Sequence, residues 1–111
     1  MFIIYKITNK INNKIYIEKT CRSITIRWQE HCSKANQKDK FYFHNAISKY
    51  GKENFIVEEI ERTNDENEIN FLEQKWIKFY NSNNKNKGYN LTNGGDGLKK
   101  YDWNEFRKLW D

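Results

Sequence analysis

The chain opens with two short runs of apolar, β-branched and aromatic residues, Phe2-Ile3-Ile4-Tyr5 and Tyr16-Ile17-Glu18. Both predict strands. Between them, Asn12-Asn13 tolerates the positive φ of a two-residue turn, so the pattern predicts a β-hairpin. That turn sets Lys14 opposite Ile11, Tyr16 opposite Asn9, Glu18 opposite Ile7 and Thr20 opposite Tyr5. Alternation then places Tyr5, Ile7, Tyr16 and Glu18 on one face of the ribbon.

Helical periods follow. Ser23 is a suitable N-cap for a helix to about Ala35, with Ile24, Trp28 and Cys32 recurring every four residues towards the core. Arg27 and His31 form a second i, i+4 pair beside that stripe. After a polar loop at 36–40, a helix over Tyr42–Lys49 turns Phe43, Ala46, Ile47 and Tyr50 inward, and Gly51 stops it. Phe55 to Ile60 predicts a third strand that can lie beside the hairpin. Thr63 or Asn64 is expected to cap a long third helix, with Asp65 and Glu66 in its first turn, where the helix dipole favours anions. Its apolar stripe is Ile69, Leu72, Trp76, Ile77 and Tyr80. Residues 81–87 read as a solvated loop, Gly88-Tyr89-Asn90-Leu91 as a short extended piece, and Gly94-Gly95-Asp96-Gly97 as a turn. Asp102 and Glu105 resemble a capping box for a last short helix with Trp103, Phe106 and Trp110. The order ββααβα predicts a small α+β fold, a hairpin and third strand flanked by helices, as one domain over residues 1–97 with a tail over 98–111.

Composition narrows the possibilities. Aromatics make up 16% of 111 residues against a polar mean hydropathy of −1.07. The expected core is therefore compact and aromatic under a solvated surface. The net charge of +5 divides unevenly, +7 over residues 1–50 and −2 over the remainder. A basic N-terminal half suits a polyanionic partner or serves solubility. Cys21 and Cys32 lack metal-ligand spacing and are too few for a disulfide framework, as expected of reduced thiols in a cytoplasmic protein. Lys6 interrupts the opening apolar run, which excludes a signal peptide or membrane span there.

Three sets of side chains invite chemistry. Glu73 lies inside the apolar stripe of the third helix, where a carboxylate costs several kcal/mol unless a cation or donors compensate it; it either serves a site or reaches solvent or a lysine. Arg27 and His31 could grip a phosphate and carry a proton, or form a solvated helix side. Tyr5 and Tyr16 are either core residues or polar groups of a site. Together they suit phosphodiester chemistry.

Six ordered blocks carry a family resemblance. They are Ile3-Ile4-Tyr5, Tyr16-Ile17-Glu18-Lys19-Thr20, Arg27-Trp28-Gln29-Glu30-His31, Phe43 to Gly51, Leu72-Glu73-Gln74-Lys75-Trp76-Ile77 and Gly88 to Gly95. Over residues 2–97 the chain resembles the GIY-YIG nucleases, in particular the catalytic domains of phage and viral homing-type endonucleases. The resemblance implies a three-stranded antiparallel sheet flanked by helices and divalent-metal-dependent hydrolysis of double-stranded DNA to 5′-phosphate and 3′-hydroxyl ends. It implies Glu73 as the single ligand to one divalent ion, Mg²⁺ or Mn²⁺, and Arg27 as the group stabilising phosphate charge in the transition state. Tyr5 would activate or position the attacking water, as a general base if nearby cations lower its pKa. Tyr16 would hydrogen-bond the phosphate or the metal's waters, His31 would assist proton transfer or the leaving group, and Asn90 would hold the site together. Lys19, Arg22 and His44 are expected to bind substrate, with a plain packing role equally open for His44. Relatives often continue into a separate DNA-recognition region, so sequence specificity is expected outside this domain, in an intracellular, phage- or virus-associated setting.

Two motif glycines are replaced. Ile3 stands at the first and suits a strand. Glu18 stands at the second and adds bulk and charge between Tyr5 and Tyr16. Two unit charges at 4 Å repel by about 4 kcal/mol at an effective dielectric near 20, and half of that is more than a tenfold loss of binding. The chain is therefore expected to be an endonuclease domain attenuated or inactivated by Glu18, or a DNA-binding or structural module that kept the fold without catalysis.

Overall fold

A computed structural model describes residues 1–94. The elements run β1 (Phe2–Asn9), β2 (Ile15–Thr20), α1 (Ile24–Asn36), α2 (Tyr42–Tyr50), β3 (Phe55–Thr63) and α3 (Glu66–Tyr80), with a single 3₁₀ turn at Lys52–Asn54. The sheet is antiparallel, ordered β2-β1-β3. This is the α+β order ββααβα expected from the pattern. The expected turn over Gly94 to Gly97 falls mostly outside the described residues, and the expected last helix with Trp103, Phe106 and Trp110 falls wholly outside them.

The hairpin forms, but its register differs from the expected one by two residues. Tyr5 faces Glu18 and Ile7 faces Tyr16. The cause is the turn. Asn9 N–H donates to the Lys14 carbonyl at 2.9 Å, which makes residues 10–13 the loop instead of Asn12-Asn13 alone. Asn9 Oδ1 accepts from Ile11 N–H and Asn12 Oδ1 from Lys14 N–H, both at 2.9 Å, and Asn13 takes φ 62°. Short amide side chains thus satisfy the loop backbone, as asparagine does in turns. A shift of two preserves every side chain's face.

Both faces of the sheet are covered. Tyr5, Ile7 and Tyr16 pack with Ala35, Phe43, Ala46 and Ile47 of α1 and α2. Phe2, Ile4 and Ile17 pack with Ile69, Leu72 and Ile77 of α3. β3 is longer than expected and carries a bulge at Ile60, where Ile4 faces Glu61 but Tyr5 faces Glu59. Ser23 caps α1 as expected. Asp65, not Thr63 or Asn64, caps α3, accepting from Asn67 N–H at 2.8 Å. Gly51 ends α2 at φ 89°, a conformation that a side chain strains. Ile3 pairs regularly with Thr20 and Arg62, so that motif replacement leaves the ladder undisturbed.

β2 is an edge strand, whose outward backbone groups need partners. Residues 87–90 supply them. Ile15 N–H donates to the Lys87 carbonyl, and Tyr89 N–H donates to Ile15. One residue on, the Asn90 side chain takes over: Oδ1 accepts from Ile17 N–H at 2.9 Å and Nδ2 donates to the Ile17 carbonyl at 2.8 Å. Gly88 permits this approach, since a Cβ there would collide with the Ser82 backbone and the Ile15 carbonyl.

Candidate active site

Three elements converge on Glu18, and a fourth backs them. β1 brings Tyr5, whose hydroxyl donates to Glu18 Oε2. β2 brings Tyr16, two residues away on the same face, with its hydroxyl 3.3 Å from Glu18 Oε1. α1 crosses that face and delivers two side chains one turn apart. Arg27 reaches Glu18 through Nε at 3.2 Å and an Nη at 3.0 Å from each oxygen. His31 Nε2 lies 3.1 Å from Glu18 Oε2 and 3.2 Å from the Tyr5 hydroxyl. Behind His31, α2 supplies His44.

The electrostatics follow from this packing. Burial pushes the Glu18 carboxyl up, but the bonds and charges of His31, Arg27 and Tyr5 outweigh it and hold the pKa at about 2. Glu18 is therefore a carboxylate throughout the neutral range, with a side chain only 16% exposed. Burial and then the Glu18 charge raise Tyr5 well above its usual value, and Arg27 only partly opposes them. Tyr5 is thus raised and not lowered by cations as expected, with burial as the leading cause and Glu18 second. Tyr16 is raised for the same leading reasons, with a contribution from Glu73. Burial tends to lower the Arg27 pKa, but Glu18 raises it further, so the guanidinium stays charged.

Tyr5, Tyr16, Arg27 and His31, singled out in the sequence, are brought together. His31 is buried at 4% exposure rather than on a solvated helix side. Glu73 sits across the sheet on α3, paired with Lys19 Nζ at 3.3 Å, and its charge still reaches Tyr16. Lys19 also donates to Asn70 and is buried, so in this arrangement it serves Glu73 instead of facing outward for substrate. Arg22 forms a fork with Glu30 at 2.9 and 2.6 Å, and Arg27 shares Glu30 at 2.5 Å. His44 is buried, with both ring nitrogens engaged by protein groups. Asn90, held by Ser82 Oγ at 2.7 Å, clamps the backbone between Tyr16 and Glu18.

Asp39, Ser82 and Asn70 carry no signal of a site in the sequence. Asp39 stands in a polar loop, and only its place five residues before His44, ahead of a helix start, hints at a role. Among the described residues, no group of three or more histidines, cysteines, aspartates or glutamates is arranged to hold a metal. The Glu73 carboxylate is a hard oxygen donor of the type that Mg²⁺ or Mn²⁺ takes alongside several waters, and here Lys19 is its cation.

The model of the GIY-YIG catalytic domain matches residues 1–90. This chain belongs to the GIY-YIG family. The catalytic domain of the homing endonuclease I-TevI superposes with a TM-score of 0.69 at 26% identity, covering 83% of this chain and 99% of that one. A substituted form of that domain gives 0.67, covering 85% and 97%. In sequence, the GIY-YIG chain is 35% identical over 89 residues to the uncharacterized protein 019R of Invertebrate iridescent virus 6, covering 78% of this chain and 32% of the relative. It is 30% identical over 83 residues to the putative MSV199 domain-containing protein 146R of the same virus, covering 73% and 34%. The chain thus spans about a third of the length of these viral relatives. It is a GIY-YIG nuclease catalytic domain of the homing-endonuclease type, and Glu18 is its departure at the motif's second glycine. Among the described residues, no helix is long and apolar enough to cross a membrane.

Proposed function

We propose that this domain hydrolyses phosphodiester bonds of double-stranded DNA and that Glu18 restrains it. One observation carries the reading. The Glu18 carboxylate receives Tyr5, Tyr16, the Arg27 fork and His31 together. A pocket of donors around one anion, in a domain of this family, suits a phosphate.

Each side chain then has a task. Arg27 meets the phosphate oxygens with the fork now holding Glu18, and its charge favours the transition state over the ground state. Tyr5 positions the attacking water and passes its proton to His31. Removal of Glu18 takes away one of the charges that raise the phenol pKa, which makes that transfer easier. Water adds to phosphorus as the bond to the 3′ oxygen breaks, and that oxygen takes a proton from solvent, leaving 5′-phosphate and 3′-hydroxyl ends. Tyr16 hydrogen-bonds a non-bridging oxygen, and Asn90 fixes the strand carrying both Tyr16 and position 18. Glu73 is the side chain that would hold a divalent ion, Mg²⁺ or Mn²⁺, which supplies Lewis-acid polarisation of the phosphate when bound. Lys19 neutralises Glu73 meanwhile. Specificity for a DNA sequence need not reside in this domain.

Supercoiled-plasmid nicking with Mg²⁺ or Mn²⁺ tests the reading. Glu18→Gly is expected to nick, and Glu18→Gly with Glu73→Ala to lose the activity. If neither the chain nor Glu18→Gly nicks DNA while both bind it, the domain is a catalytically silent DNA-binding module.

A further inference from the structure

A line of polar side chains runs outward from His31 through the α1–α2 side of the fold. His31 Nδ1 lies 2.8 Å from His44 Nε2. His44 Nδ1 lies 2.8 Å from one oxygen of Asp39 and 2.9 Å from the other. The two imidazoles are buried, whereas the Asp39 side chain is 37% exposed at the protein surface. Asp39 also accepts from Phe41 N–H at 3.3 Å, which anchors it ahead of α2.

Donor and acceptor logic assigns the protons along this line. Slight burial opposes ionisation of Asp39, but the His44 and Phe41 bonds hold its carboxyl below the ordinary range. A carboxylate only accepts, so His44 Nδ1 donates. Burial lowers the His44 pKa, with His31 and Lys34 adding to that and Asp39 opposing it. His44 is thus neutral near pH 7, and its Nε2 is an acceptor. His31 Nδ1 must then carry a proton. His31 Nε2 faces the Tyr5 hydroxyl and Glu18; it donates to the carboxylate while Glu18 is present, and without that anion it is the nitrogen left to accept a proton from Tyr5.

We propose that Asp39 and His44 are positioning residues that fix the His31 tautomer, so that Nε2 is the atom receiving the Tyr5 proton. The step balances. The Tyr5 O–H bond breaks, an N–H bond forms at His31 Nε2, and the imidazolium keeps its Nδ1 proton donated to His44. Asp39 supplies the compensating negative charge two residues along the line. A neutral amide at 39 can still accept from His44 but lacks that charge, and a carboxylate partner orienting a histidine is the general device by which a base nitrogen is selected.

The inference rests on the nuclease reading for its use, but not for its first test. Long-range ¹H–¹⁵N NMR reads which ring nitrogen carries the proton without any DNA. In the Glu18→Gly protein at mildly alkaline pH, His31 Nδ1 is expected to be protonated and Nε2 not. Asp39→Ala is expected to mix the two tautomers of both histidines, and Asp39→Asn to do so less. An unchanged His31 pattern in Asp39→Ala overturns the proposal, whatever the protein does to DNA. Nicking by Glu18→Gly with Asp39→Ala is expected to fall roughly tenfold or more, less than the ~10⁴ known for a wholly buried orienting aspartate. Its pH–rate profile should shift, set against the titratable and charged groups facing His31 (the Tyr5 and Tyr16 phenols, Arg27 and His44) and facing His44 (His31, Lys34 and, before its removal, Asp39). Altered tautomers with an unaltered rate and profile would equally overturn the positioning role. Because Asp39 is at the surface, retained amide dispersion in the same spectra separates these outcomes from misfolding.

Discussion

Tyr5 and Glu18 are direct cross-strand partners in the β1–β2 ladder, and the phenol donates its hydrogen bond to the carboxylate. In the chain as it stands, Tyr5 therefore serves an internal anion, and the same hydroxyl is needed for the water if the site cuts. Tyr5→Phe separates these roles. With Glu18 present it should cost about 1.5–3 kcal/mol in urea denaturation, the range for a hydrogen bond to a charged group. In Glu18→Gly the stability change should be smaller, while nicking falls about 10²-fold or more.

Glu18 also writes a pH signature into stability. Its pKa is depressed from 4.5 to about 2, so its contribution is complete above 4.5 and is lost as pH falls towards 2. The difference corresponds to about 3 kcal/mol for this largely buried side chain. Glu18→Gln should be less stable than the chain by that order at pH 7, and the gap should close between pH 4.5 and 2. A gap that persists unchanged at pH 2 would show that the carboxylate is not held by its neighbours' charge. Removing the anion also leaves the part-buried Arg27 guanidinium with Glu30 as its remaining carboxylate partner, so Glu18→Gly should gain activity at the expense of stability.

How much of this was legible in the residues depends on range. The hairpin arms, the helix stripes and the Gly51 stop are local, and each is visible in a window of a few residues. The register is not, because Asn9 and Asn12 bond the loop backbone and both donate to Tyr89, which arrives from far along the chain. Arg27, His31 and Glu73 stand out by periodicity. The burial of His31 does not, since it depends on Phe43 and His44 packing against it from α2. The conflict at Glu18 could be foreseen from its place between two tyrosines, but not the arginine fork and imidazole that neutralise it. Lys19 follows Glu18 and reads as another surface cation. It faces α3 only because alternation sends it through the other side of the sheet.

Asn90 acts on the site through the backbone. Its amide replaces a strand residue at the β2 edge, giving one bond and taking another at Ile17. Asn90→Ala should lower stability by about 2–3 kcal/mol, since it strands both polar groups of Ile17. Asn90→Asp should be nearly as damaging, because a carboxylate cannot donate to the Ile17 carbonyl. Urea midpoints for the two variants check this, and a harmless Asp substitution would show that the Nδ2 bond contributes little.

Arg27 separates charge from geometry. Lysine keeps the charge but not the planar fork that reaches both Glu18 oxygens. In the Glu18→Gly background, Arg27→Lys should retain part of the DNA binding at low salt and lose about 10-fold or more in nicking rate. Equal rates would place the arginine's role in bulk electrostatics alone.

On the proposed function, the Glu18 carboxylate occupies the pocket that a phosphate needs. Side-by-side nicking of supercoiled plasmid by the chain and by Glu18→Gly, at low salt with Mg²⁺ and with DNA affinity measured in parallel, tests it most directly. Glu18→Gly is expected to bind more tightly and to cut at least ~10-fold faster. Equal affinities and equal rates would show that the side chain swings clear of the substrate and would contradict it.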